Sequence, residues 1–383
     1  MAMRLFDTAR RAVVPFEPGE TVTMYVCGIT PYDATHLGHA ATYTTFDVLQ
    51  RRLEHLGHSV RLVRNVTDVD DDILRAARSR NVHYLDLSNA EIRRFQLDMD
   101  ALGVRPPWSE PRATGAIPDI RGIIAMVLDR GHAYVADGGV YFDVSSFADF
   151  GELSHHDRAD MLRIGPARGE RLDDPNKRDP LDFVLWQPEL PGEPAWESPW
   201  GRGRPGWHVE CSALVLRELG TTIDLHGGGD DLVYPHHECE RAQSEGATGE
   251  PLARHWLHQA MVHFDGEKMS KSVGNLVFVQ DLLERADPRV VRLALTAQHY
   301  RTPWEWREHL LDAATQRLAL WEASAKGDAG ALVVEGLLDD VGAALDDDLD
   351  TPGALSAVDH AARQGLDVTH AANLLGIELR PPA

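Results

Sequence analysis

Residues 21–68 constrain most strongly how this chain can fold. The run TVTMYVCG (21–28) is short, rich in β-favouring side chains and closed by glycine, which is the pattern of a buried strand. In residues 40–56, Phe46, Leu49, Leu53 and Leu56 recur at helical spacing, and Gly57 follows as a C′ residue. SVRLVRNVTD (59–68) reads as a second strand. Strand, glycine-containing turn, helix and strand make a βαβ unit, the start of a parallel sheet that takes nucleotides at its strand ends.

Helical patterns continue to about residue 102. From GVRPPWSEPR to about residue 205 the chain turns rich in Pro, Gly and Asp, with one clear strand, GVYFDV (139–144), and reads as an insertion. Alternating strands and helices resume at GWHVECSALVLREL and run past HWLHQAMVHFDGEKMSKS. After residue 300 the pattern is purely helical: Leu311, Ala314, Leu318 and Trp321 form one face, and Val334, Leu337, Leu338, Val341 and Leu345 another. The expected organisation is α/β: a Rossmann-like parallel sheet built from 1–105 and 206–300, an inserted subdomain at 106–205, and a C-terminal helical bundle at 301–383. No apolar run approaches the ~18 residues of a membrane span. The N-terminus lacks the apolar core of a signal peptide, so a cytoplasmic protein is expected. Three cysteines argue against a disulfide framework and point to packing, metal binding or catalysis.

Two short motifs carry phosphate chemistry. HLGH (36–39) sits at the strand-to-helix turn, where free N–H groups and the helix dipole favour an anion. His36 and His39 can donate to phosphate oxygens. KMSKS (268–272) places Lys268 and Lys271 as mobile point charges between a strand and a helix, suited to a pyrophosphate leaving group. Together they resemble the signatures of class I aminoacyl-tRNA synthetases. The resemblance implies adenylation: a carboxylate attacks the α-phosphate of ATP, giving an acyl adenylate and pyrophosphate. LHGGGDDL (225–232) fits beside them, with three glycines for close backbone approach to adenosine and Asp230 or Asp231 for the ribose hydroxyls. Mg2+ is expected with the ATP.

Cys27 follows the first strand, Cys211 lies in GWHVEC, and PHHECE (235–240) supplies His236 and Glu240 four apart on one helical face. Two thiolates, an imidazole and a weakly filled fourth position suit catalytic zinc. Zinc would distinguish cysteine from serine, because it favours a soft thiolate over a hydroxyl. Over nearly the whole chain these motifs resemble the cysteine-activating class I enzymes, the cysteinyl-tRNA synthetases and the mycothiol-pathway cysteine ligases. By that resemblance Cys27, Cys211 and His236 hold zinc, with Glu240 as a weak fourth ligand. Thr30, Thr67 and Trp207 line the cysteine pocket. Gly28, Ile29, Thr42, Asn65, Val66, Gly229, Asp230, Asp231 and Val262 contact the cysteinyl-adenylate. The segment 167–182 lies near the site, with Lys177 or Asp179 towards a second substrate.

His226 and Glu240 depart from the ligase pattern and lean towards the tRNA enzymes. The 111 residues after Ser272 lean the other way, since 9 Lys+Arg against 18 Asp+Glu leave a net charge of −9. A surface for an anticodon stem should not carry that bias. The expected substrates are L-cysteine, ATP and a small amine, glucosaminyl-inositol. Neither an anticodon-binding domain nor a tRNA or membrane partner is expected, and the chain should be a monomer. A compact cysteinyl-tRNA synthetase, a ligase for another small amine and a non-catalytic sensor are the competing readings. Among His36, His208 and His263 the sequence does not choose a base for the second step.

Overall fold

The computed structural model describes residues 2–269, 274–325 and 334–380. The first core strand is Thr21–Ile29 and the second is Ser59–Val66. They pair in parallel, and the sheet order is Trp256–Gln259, Leu225–Gly229, Thr21–Ile29, Ser59–Val66, all parallel. Side chains alternate across the first strand. Val22, Met24 and Val26 enter one apolar cluster with the C-terminal helices. Tyr25 and Cys27 enter another, with the inserted region and the helices that follow it. A sheet covered on both faces must be apolar on both, which is why this strand reads as a continuous run.

The connecting helix is Leu37–His55, three residues earlier at its start than the spacing suggests. At its end Gly57 N–H donates to the Glu54 carbonyl at 2.9 Å and His58 N–H to the Leu53 carbonyl at 3.1 Å. This is a Schellman cap, and Gly57 adopts the left-handed φ of 95° that it requires.

The inserted region holds more strand than the single expected run. Ala133–Ala136, Gly139–Phe142, Phe183–Pro188 and Gly203–Pro205 form a four-stranded antiparallel sheet. The first two are joined by Asp137-Gly138, both with positive φ, a tight hairpin turn that the Asp-Gly pair signals. The last strand passes through Gly206 directly into helix Trp207–Leu219, so this sheet aims Trp207, His208 and Cys211.

Beyond residue 300 a two-residue strand, Trp304–Glu305, precedes the helices. His309–Ser324 buries Leu311, Ala314, Leu318 and Trp321, the expected face. Arg52 of the first helix forks onto both Asp346 oxygens at 2.9 and 2.8 Å, and Arg292, buried against Asp47, donates from Nε to the Leu375 carbonyl at 2.9 Å. The helical region is thereby fixed to the back of the sheet. Among the described residues no helix is long and apolar enough to cross a membrane.

Candidate active site and metal centre

The first core strand ends in an irregularity, its register against the second strand shifting between Val26 and Ile29. There Gly28 N–H donates to Asn65 Oδ1 at 2.7 Å. A Cβ on residue 28 would fall 1.6 Å from the Asn65 carbonyl oxygen, so only glycine fits. The Thr30 and Thr67 hydroxyls meet at 2.8 Å, with Asp70 Oδ2 3.4 Å from Thr30 Oγ1. Burial pushes the Asp70 carboxyl up to about 7.

His36 caps the following helix: its Nδ1 accepts from Gly38 N–H at 3.1 Å, which leaves the proton of the neutral ring on Nε2. The His39 ring stacks on it at 3.8 Å, and Thr42 Oγ1 donates to the Gly38 carbonyl at 3.0 Å. Leu37 N–H donates to the Val277 carbonyl and Val279 N–H to the Thr35 carbonyl, both at 2.9 Å. The HLGH turn is thus bonded to the chain just after KMSKS. Lys268 ends a hairpin with the strand Val262–Phe264, whose Val262 is buried beside Trp304. Lys271 lies outside the described residues.

Gly229, Asp230 and Asp231 follow the glycine strand as it leaves the sheet. Arg168 holds this turn, donating to the Asp231 carbonyl at 2.9 Å and to the Tyr234 carbonyl. Gly227 serves a different purpose from the one its motif suggests. A Cβ there would lie 2.3 Å from Phe46 Cζ and 2.5 Å from the Leu257 carbonyl, so it admits the HLGH helix against the sheet rather than a ligand.

Cys27, Cys211, His236 and Glu240 converge, with one donor atom from each all within 4.8 Å of one another and all four buried. Glu240 Oε1 lies 3.2 Å from Cys27 Sγ and 3.1 Å from His236 Nε2. Burial raises the Cys27 thiol well above its ordinary range, and the neighbouring Cys211 and Glu240 add to it; Cys211 is raised by burial too. Burial lowers His236 to about 3, leaving it a neutral ring with a lone pair. Burial would raise Glu240, but the His226 ring that donates to it outweighs this and holds the carboxyl below its ordinary range. Soft and borderline donors packed this closely, without internal cations, fit a divalent metal such as zinc. Trp207 is half-buried and stacks on His236 at 4.0 Å, so it forms a wall of this centre.

The two departures noted in the sequence form one contact: His226 Nε2 lies 3.1 Å from Glu240 Oε2. Cys27, His226 and His237 make a second converging group, sharing Cys27 with the first. His237 Nδ1 contacts His258 Nε2 at 2.7 Å, and His258 Nδ1 contacts Thr8 Oγ1 at 2.7 Å. The sequence reading missed this histidine chain and also Glu170, which lies 3.3 Å from His208 Nε2. The signal available was the density of histidines around PHHECE and HWLH. Lys177 turns inward to Glu170, and Asp179 is paired with Arg158 at 2.9 Å.

The family described as tRNA synthetases class I (C) catalytic domain matches residues 13–316. Two enzymes named L-cysteine:1D-myo-inositol 2-amino-2-deoxy-alpha-D-glucopyranoside ligase are similar along nearly their whole length. That of Thermobispora bispora is 48% identical over 96% of this chain and 92% of its own. That of Acidothermus cellulolyticus is 49% identical over 97% and 92%. Mycobacterium tuberculosis methionyl-tRNA synthetase in complex with methionyl-adenylate shares the fold at a TM-score of 0.66 and 17% identity, covering 90% of this chain and 83% of that one. Thermus thermophilus arginyl-tRNA synthetase does so at 0.58 and 12%, covering 97% and 84%.

Proposed function

Because the chain belongs to the cysteine-type class I synthetase family, we propose that it is an ATP-dependent ligase that activates L-cysteine and transfers it to the amine of glucosaminyl-inositol. One observation carries the cysteine assignment: two thiols, His236 and Glu240 meet beneath Trp207, at the end of the strand that leads to HLGH. The name and near-complete coverage of the ligase relatives support the acceptor, as does the acidic balance after Ser272.

Cys27, Cys211, His236 and Glu240 would hold zinc, which supplies a soft Lewis acid for the substrate thiolate. Thr30, Thr67 and Trp207 line the cysteine pocket. Ile29, Asn65 and Val66 place the cysteine carboxylate at the strand ends, beside the Gly28 amide. His36 and His39, with the N-terminus of their helix and Thr42, hold the phosphates, and Lys268 and Lys271 compensate the charge growing on pyrophosphate. Gly229, Asp230, Asp231 and Val262 receive the adenosine, and Mg2+ accompanies ATP. The acceptor amine then attacks the adenylate carbonyl and AMP leaves. The chain acts as a cytoplasmic monomer, with residues 106–205 inserted between the halves 1–105 and 206–300 of the catalytic domain and 301–383 as the helical bundle.

Cysteine-dependent ATP–pyrophosphate exchange tests activation. AMP release with glucosaminyl-inositol, set against tRNA, tests the acceptor. Stimulation by the amino sugar alone is expected; stimulation by tRNA alone overturns the acceptor assignment.

A further inference from the structure

A buried ion pair in the inserted region connects to the metal centre. Of the 38 Lys+Arg residues only four are lysines. One of these, Lys177, has a side chain just 3% exposed. Its Nζ lies 3.5 Å from Glu170 Oε2, while Glu170 Oε1 lies 3.3 Å from His208 Nε2. On the far side of that ring, His208 Nδ1 is 2.7 Å from His236 Nδ1. His236 Nε2 then faces Glu240 Oε1 at 3.1 Å. Gln243 Nε2 donates to the His208 carbonyl at 2.7 Å and fixes the backbone beneath the ring.

Each link dictates the proton of the next. An ionised carboxylate can only accept, so a neutral His208 ring carries its proton on Nε2. Its Nδ1 is then an acceptor, and the short contact to His236 is closed by the proton on His236 Nδ1. His236 Nε2 keeps its lone pair, directed at the cysteines and Glu240, which is the form a metal ligand needs. Lys177 compensates the Glu170 charge, which would otherwise be costly at this depth.

We propose that Glu170 and Lys177 are positioning residues for metal capture, ordering the protons of His208 and His236 from a loop 31 to 66 residues earlier in the sequence. This rests on the zinc reading above. Glu170→Gln keeps the size of the side chain but lets its amide donate to His208 Nε2. That reverses the order and puts a proton on His236 Nε2.

The test is the zinc dissociation constant of the full chain, measured by competition with a chromophoric chelator, with the visible spectrum of bound Co2+ as a second readout. Glu170→Gln is expected to weaken zinc binding roughly 10–100-fold, the usual effect of losing a partner behind a metal-binding histidine. Lys177→Met, which keeps the carboxylate, should weaken it less. Far-UV circular dichroism confirms that the variants fold, and the Lys177 variant carries the test if Glu170→Gln does not. Binding equal to the parent in a folded Glu170→Gln protein overturns the proposal, as does parental binding in Lys177→Met when only that variant folds. Cys211→Ala separates the two readings: if it binds zinc like the parent, the metal site itself is wrong.

Discussion

Replacing Glu240 by glutamine removes one charge and almost no volume from the centre of the buried cluster. In the parent, Oε2 accepts from the His226 ring at 3.1 Å, and Oε1 accepts from the Cys27 thiol at 3.2 Å with His236 Nε2 at 3.1 Å. A carboxylate accepts on both sides, whereas an amide accepts on one and donates on the other. If the amide donates towards His226, that ring must shift its proton to Nδ1, which has no hydrogen-bond partner among the described residues. If it donates the other way, it reaches the His236 Nε2 lone pair, but the Cys27 thiol then loses its acceptor. Either arrangement leaves a buried donor unpaired, at a cost of about 1–3 kcal/mol. Glu240→Ala loses every acceptor contact and opens a cavity at a fully buried position, so about 2–5 kcal/mol is expected from the unpaired donors and the lost packing. Urea unfolding of the metal-free protein, with chelator present and followed by tryptophan fluorescence, measures both. The expected order of stability is parent, Gln, Ala. A Gln variant within ~0.5 kcal/mol of the parent, the range of a neutral surface change, would refute the reasoning. So would an Ala variant no weaker than Gln.

Three further outcomes are expected. Cys211→Ala should lose bound zinc and the discrimination of cysteine from serine together, checked by metal analysis and by exchange assays with both amino acids; loss of one alone separates the metal from specificity. Asp70 has a folded pKa of about 7, above the ~3.9 of an unfolded aspartate, so its contribution to stability is complete below pH ~4 and is lost as pH rises through 7. Asp70→Asn keeps an oxygen for the Ile73 N–H, now capped at 2.9 Å, and should gain on the parent between those pH values by at most about 4 kcal/mol; parallel pH–stability curves would disprove this. Asp47 accepts from Arg51 Nε at 2.7 Å and from Arg105 N–H at 3.1 Å, and also pairs with the buried Arg292. Asp47→Ala should therefore cost about 3–5 kcal/mol in urea unfolding, since it strands that guanidinium, whereas an equal loss in Asp72→Ala, an exposed pair, would show the effect to be nonspecific.

The local grammar of the chain was sufficient for its local structure. A β-favouring run closed by glycine, an apolar stripe at helical spacing and Gly57 at its end dictated a strand, a helix and a cap, because those depend on neighbours within a few residues. The short strands of the inserted sheet escaped, apart from Gly139–Phe142. Three or four residues carry little periodicity, and strands such as Gly203–Pro205 exist only because Phe183–Pro188 pairs with them.

The site divides in the same way. Motif chemistry marked HLGH, KMSKS, the two cysteines and PHHECE, because donor types and helix-start positions are written in order along the chain. Their convergence was not written there. Cys27 and Glu240 are 213 residues apart, and only the crossing of the first core strand by two later helices brings them to 3.2 Å. The same folding joined His226 to Glu240, two departures that looked unrelated in the sequence, and reassigned Gly227 from ligand approach to helix packing. It also brought Glu170 and Lys177 inward, out of what the sequence presents as a polar loop. Side-chain identity is a property of the chain, but proton order and metal geometry depend on angstrom-scale contacts between distant segments, and those only tertiary packing decides.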